Sequence, residues 1–178
     1  CGIYTSNTGI FWSKQTCPVS QALYSVAFHS TLGWVVGGEY DGAASCVVLR
    51  SADGFAWTAA TAKPVCGVAS DRIGSIAAVT GGFLAQNTSS NNQTFRSTNP
   101  DSWTTTPGNG LTTGLAMASL GTRGLVVGGA GGNGSSNATD DGGGSWQGVV
   151  GTSSGFDIAS ASLGSGTTIV GVGTSCTM

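Results

Sequence analysis

Four tryptophans close phrases of the same kind: YTSNTGIFWS, LRSADGFAWT, FRSTNPDSWT and ATDDGGGSWQ. Trp12, Trp57, Trp103 and Trp146 lie 45, 46 and 43 residues apart, and 44 residues separate Trp146 from Trp12 when the end is joined to the start. The chain is therefore four copies of one unit. A unit of this length cannot bury its own apolar face, so the copies must stack on one another.

Each unit reads as four short strands. In the first complete unit these are 24–30, 34–39, 46–51 and 56–60. The second uses 75–79, 83–88, 94–98 and 102–106, and the third 114–120, 124–130, 136–140 and 145–150. No amphipathic helix stands out. The pattern predicts an all-β domain over 1–178, a four-bladed β-propeller of four-stranded antiparallel blades at about 21–60, 68–106, 112–150 and 155–178 plus 1–15. In the last blade, 2–6 and 11–15 are the outer strands, and 156–162 and 167–173 the inner pair. Antiparallel pairing of 2–6 with 167–173 is expected to close the ring and hide its sheet edges. Gly37-Gly38 lies within a strand, where it permits close backbone approach.

The tryptophan phrases carry a turn signature. The fourth reads Thr139-x-Asp141-x-Gly143-x-Ser145-Trp146, and the second Ser51-x-Asp53-Gly54-x-x-Trp57, one residue shorter. Ser6-x-Thr8-Gly9-x-x-Trp12 lacks the Asp, and Ser97-x-Asn99-Pro100-x-x-Trp103 has Asn for Asp and no Gly. This resembles the Asp-box, S/T-x-D-x-G-x-T/S-W, of sialidase-type (BNR) propellers. The resemblance implies a propeller whose box is a hairpin turn between outer strands, away from any catalytic centre. Asp, Asn or Ser then caps backbone N–H groups, Gly supplies positive φ, and the four tryptophans are structural.

Composition narrows the function classes. Only 8% of residues are charged and the net charge is −2, so there is no basic footprint for nucleic acid. No apolar run reaches membrane-spanning length, and no signal peptide is visible. Such low surface charge calls for another source of solubility, either attached sugar or burial in an assembly. Five cysteines without a CxxC pair suggest an oxidising compartment rather than a zinc ribbon. Cys46 and Cys1 each lie 11 residues before their tryptophan, while Cys66 and Cys17 follow Trp57 and Trp12. Both follow a fourth strand, on the face where third strands begin. The expected disulfides are Cys46–Cys66 and Cys1–Cys17, leaving Cys176 unpaired or available to another chain. Asn87, Asn92, Asn133 and Asn137 all match the N-glycosylation pattern, in equivalent loops.

Catalytic chemistry has few candidates. A retaining glycosidase needs two carboxylates about 5 Å apart, and Glu39 with Asp41 is the one plausible pair. Tyr40, beside Glu39, points to the opposite strand face. Sialidase-type enzymes also need clustered arginines, but Arg50 and Arg96 share a repeat position that reads as surface, with Arg72 and Arg123 elsewhere. The single histidine, His29, sits on an alternating strand and reads as structural. Gly129-x-Gly131-x-x-Gly134 opens no helix, which argues against a dinucleotide site. Asp140 and Asp141 lack the spaced acids of a calcium loop. No cofactor or metal is expected. Trp34, outside the boxes, is the candidate ligand residue, with core packing as its competing role.

The resulting expectation is a secreted, non-enzymatic structural or interaction module that self-associates, as in an extracellular filament or matrix. The alternatives are a carbohydrate-binding module and a glycoside hydrolase.

Overall fold

The computed structural model describes residues 1–88, 93–106, 114–121, 123–128, 136–148, 158–163 and 169–173. No helix occurs among the described residues. The N-terminal strands β1 (Ile3–Thr5) and β2 (Ser13–Gln15) pair antiparallel as a two-stranded sheet. The first full blade follows as β3 (Leu23–His29), β4 (Gly33–Tyr40), β5 (Cys46–Ser51) and β6 (Thr58–Ala59). The second is β7 (Ile73–Val79), β8 (Gly82–Asn87), β9 (Thr94–Asn99) and β10 (Ser102–Thr105). The third is β11 (Gly114–Leu120), β12 (Arg123–Gly128), β13 (Ser136–Thr139) and β14 (Gln147–Gly148). A second two-stranded sheet, β15 (Ile158–Leu163) with β16 (Ile169–Gly173), ends the series. Each blade is an antiparallel meander, with strand neighbours in space also neighbours in sequence.

The sheets stack through their first strands: β3 on β7, β7 on β11, and β11 on β15. Apolar clusters fill the spaces between them. Val35, Val48, Ile73, Phe83 and Phe95 join the first and second blades. Ala77, Val79, Leu84 and Met117 join the second and third. Ile3 of the N-terminal pair packs on Val36, Val47 and Leu49 of the first blade. Burying such side chains is the main stabilising term, at roughly 1.5–3 kcal/mol for each large one. Gly37 faces the second blade so closely that a Cβ there would lie 2.5 Å from Ile73 Cγ2. Hydroxyls stitch both seams: Ser25 Oγ donates to the Ile73 carbonyl at 3.1 Å between the first and second blades, and Ser75 Oγ accepts from the Met117 N–H at 2.9 Å between the second and third.

The box turns share one construction. Ser51 Oγ accepts from the Gly54 N–H at 2.8 Å, and Asp53 Oδ1 accepts from Phe55 and Ala56 at 2.8 and 3.0 Å. Gly54 takes φ of 82°, a region that penalises any side chain. The indole N–H groups of Trp12, Trp57 and Trp103 each donate to the carbonyl three residues earlier, at 3.2, 2.9 and 3.2 Å. The fourth turn is one residue longer. Its Asp141 accepts from the Ser145 N–H and hydroxyl, and the Trp146 indole N–H has no partner among the described residues.

The expected pairing of 2–6 with 167–173 is not seen among the described residues. Among the described residues β1 pairs only with β2, and β16 only with β15. The N-terminal pair is held on the first blade by Ile3, while the C-terminal pair is held on β11. The Cys1–Cys17 and Cys46–Cys66 pairs are both disulfide-bonded, with Cα separations of 6.1 and 5.5 Å. Cys176, Asn92, Asn133 and the Gly129–Gly134 loop lie outside the described residues.

Candidate functional site

The first blade has one face covered by the second blade and the other only half covered. On that second face, Ile3 of β1 packs over Val36, Val47 and Leu49. Val26 and Phe28 of β3 stay exposed, and a groove of about 490 Å³ runs between the N-terminal pair and β3–β4. Its walls follow from strand alternation. Val26 opposes Val36 and Phe28 opposes Trp34 in the β3–β4 ladder, so all four point the same way. Val26 and Phe28 are 58% and 50% exposed. The Phe28 and Trp34 rings lie 4.7 Å apart, tilted. Trp34 therefore lines the groove, half-buried, rather than packing into the second blade. On the opposite wall Tyr4 and Trp12 are also exposed. Exposed apolar side chains gathered in one place mark a contact surface.

A polar cluster lies at one end. The Tyr24 hydroxyl donates to Glu39 Oε1 at 2.6 Å, and the Ala22 N–H donates to Glu39 Oε2 at 3.2 Å. The Arg72 guanidinium carbon sits 4.8 Å from the Tyr24 ring centroid, a cation–π placement. The Tyr24 hydrogen bond, then the Ala22 N–H, hold Glu39 below its ordinary value. The same bond to Glu39 raises Tyr24, so its hydroxyl stays protonated as a donor. Asp41 has different partners. It forms a short ion pair with Lys63 and accepts from the Ala43 N–H at 2.8 Å and the Ser45 N–H at 3.2 Å. Burial opposes its charge, but these partners outweigh burial and hold it low. Glu39 and Asp41 are thus each committed to their own partners.

The other sequence candidates are placed as follows. His29 Nδ1 accepts from the Thr31 N–H at 3.3 Å, and its ring meets Phe83 edge-on at 5.7 Å. Arg50 bridges to Asp101 of the second blade at 2.5 Å. Asp140 pairs with Arg123 at 2.5 Å and Asp141 holds its turn, so both acids are committed. Asn87 is wholly buried on β8, its amide directed at Cys66 Sγ. That corrects its expected place on an exposed loop, because solvent does not reach the atom that would carry a sugar. Asn137 is half-buried within β13. Tyr24, the partner of Glu39, escaped the sequence reading. It sits where the β3–β4 register shifts between Leu23 and Ser25, and simple alternation does not locate such a residue.

Antiparallel sheets of four strands, stacked through their first strands, define the β-propeller class. Two solved structures share that fold with this chain. A structure of YCF48 bound to D1 peptide matches with a TM-score of 0.59 and 17% identity over 78% of this chain. YCF48 from Cyanidioschyzon merolae matches at 0.57 and 17%, also over 78%. This chain spans 44% and 42% of those two chains. No protein-family model matches the sequence, and no curated protein matches it.

Proposed function

We propose that the chain is a secreted, non-enzymatic structural or interaction module whose working surface is the groove between its N-terminal strand pair and first blade. The observation that carries this is the apolar surface left bare there. Tyr4, Ile10, Phe11 and Trp12 are exposed on the N-terminal pair and its turn, and Tyr24, Val26 and Phe28 on β3. Apolar surface gathered on this face, on a chain with only 8% charged residues, suits burial against a partner. The fold neighbour that holds a D1 peptide is an instance of this class of fold serving as a binding platform.

In this reading the four repeats make four blades. The N-terminal pair is the outer half of the fourth and β15–β16 its inner half, so closure needs the two halves brought together. The box turns support likeness to the Asp-box family through their Ser, Asp, Gly and Trp roles. Two disulfides suit an oxidising, extracellular compartment. Self-association fits the bare end, and Asn92, Asn133 and Asn137 remain the acceptors for N-linked glycans.

Two assays test the reading. Aryl glycosides should not be turned over, and Glu39→Gln and Asp41→Asn should behave as the parent. Turnover lost in either variant would make the protein a glycosidase. Electron microscopy of native material should show regular polymers, and uniformly dispersed single particles would contradict the structural role. A second reading, a carbohydrate-binding module, is favoured by the position of Trp34 in the groove beside Phe28. Glycan-array binding abolished by Trp34→Ala would select it.

A further inference from the structure

We infer that the groove is the docking site for the β15–β16 pair of a second copy of this chain, so that two chains complete one blade between them. This rests on the interaction-module reading and names the partner.

The N-terminal pair has the signature of an outer half-blade. Ile3 and Val48 each lie nine residues before their box tryptophan. Val48 is buried in the core between the first and second blades, and Ile3 is buried against the first. The two side chains thus do the same work one blade apart. Among the described residues no inner pair stands beside β1 and β2. Val26 holds the register position that Ile76 holds in the second blade, each opposite the middle of its second strand. Ile76 is buried under the preceding blade, whereas Val26 is exposed.

The other end of the chain carries the complementary piece. The β15–β16 ladder shifts register between Ile158 and Ser160, and the inner pairs of the three full blades shift at the equivalent step, at Leu23/Ser25, Ile73/Ser75 and Gly114/Ala116. The C-terminal pair is therefore an inner half-blade, stacked on β11, with no outer strands beside it among the described residues. Its segments IASASL and IVGVG hold no charge, which matches an apolar groove. Among the described residues each half pairs only with itself. A second copy offers each half-blade its complement. The contact is heterologous, head to tail, and repeats along a filament or around a ring.

The ladder of the first blade fixes the register. Val35 pairs with Arg50 there, and the equivalent residues are Val170 and Thr5, so Val170 of one copy should face Thr5 of the next. The test uses the full chain in a Cys176→Ser background. Thr5→Cys and Val170→Cys chains are mixed and oxidised, and a disulfide-linked heterodimer is expected. The double variant should give a ladder of linked multimers. A double variant that cross-links only within single chains would overturn the inference in favour of a ring closed in cis. No cross-link in either experiment, with folding verified by circular dichroism, would overturn it in favour of a different occupant. Both results leave the module reading standing, because that reading fails on glycoside turnover instead.

Discussion

Trp12 and Trp103 occupy the same place in the repeat and donate their indole N–H to the same kind of carbonyl, yet Trp103 is 6% exposed and Trp12 62%. The difference is the neighbour. Trp103 belongs to the cluster that joins the first and second blades, with its ring 6.4 Å from Phe83. The described residues place no blade before Trp12. The two side chains therefore separate the stability of the stack from the chemistry of its open end.

Trp103→Ala should destabilise the chain by roughly 3–5 kcal/mol, the usual cost of removing a large buried aromatic. Trp12→Ala should cost well under half of that and should instead weaken self-association. Urea unfolding followed by circular dichroism, paired with size-exclusion chromatography with light scattering, reads both effects.

Gly37→Ala should destabilise by about 1–3 kcal/mol, because the added methyl meets Ile73 across the blade interface. Gly2→Ala, whose Cβ would meet only the Tyr4 ring at 3.5 Å, should be near neutral. Comparison of chemical unfolding midpoints checks the pair.

The two disulfides should differ in their response to reductant. Cys46 and Cys66 are wholly buried, whereas Cys1 is exposed and Cys17 half-buried. Mild dithiothreitol should open Cys1–Cys17 first, and mass spectrometry after alkylation should find Cys46–Cys66 intact in the folded chain. Replacing Cys46 and Cys66 together by Ala should cost about 2–4 kcal/mol.

The box carboxylates set an acid limit. The N–H groups of Ala56 and Phe55 and the Ser51 hydroxyl hold Asp53 below its ordinary value, and the Ser145 N–H with Thr139 and Ser145 hydroxyls do the same for Asp141. A lowered folded value means that the stabilisation is complete above the ordinary aspartate pKa of 3.8. It is lost as pH falls further, through the folded values. The urea midpoint should therefore be flat near neutrality and drop below about pH 4. Asp53→Asn should flatten part of that drop.

Much of the fold was legible because the repeat is written in side chains that act locally. Ser51, Asp53, Gly54 and Trp57 build their turn within seven residues. The Cys46–Cys66 bridge follows from where strand ends must lie. Long-range placement was less legible. Asn87 looks like a loop acceptor in sequence but completes β8 in the core. Glu39 finds Tyr24, fifteen residues away, rather than a neighbour. The bare face of β3 depends on which surface another blade covers, and the alternation of Val26 and Phe28 is the same whether that blade is present or absent.

The most direct measurement is sedimentation velocity of the 178-residue chain over a range of concentrations, beside Phe28→Asp. Phe28 is 50% exposed on the open face, so the substitution should leave the far-ultraviolet circular dichroism unchanged. The parent chain should show mass that grows with concentration, and Phe28→Asp should sediment as a monomer throughout. A parent chain that is monomeric at every concentration, indistinguishable from Phe28→Asp, would contradict the account.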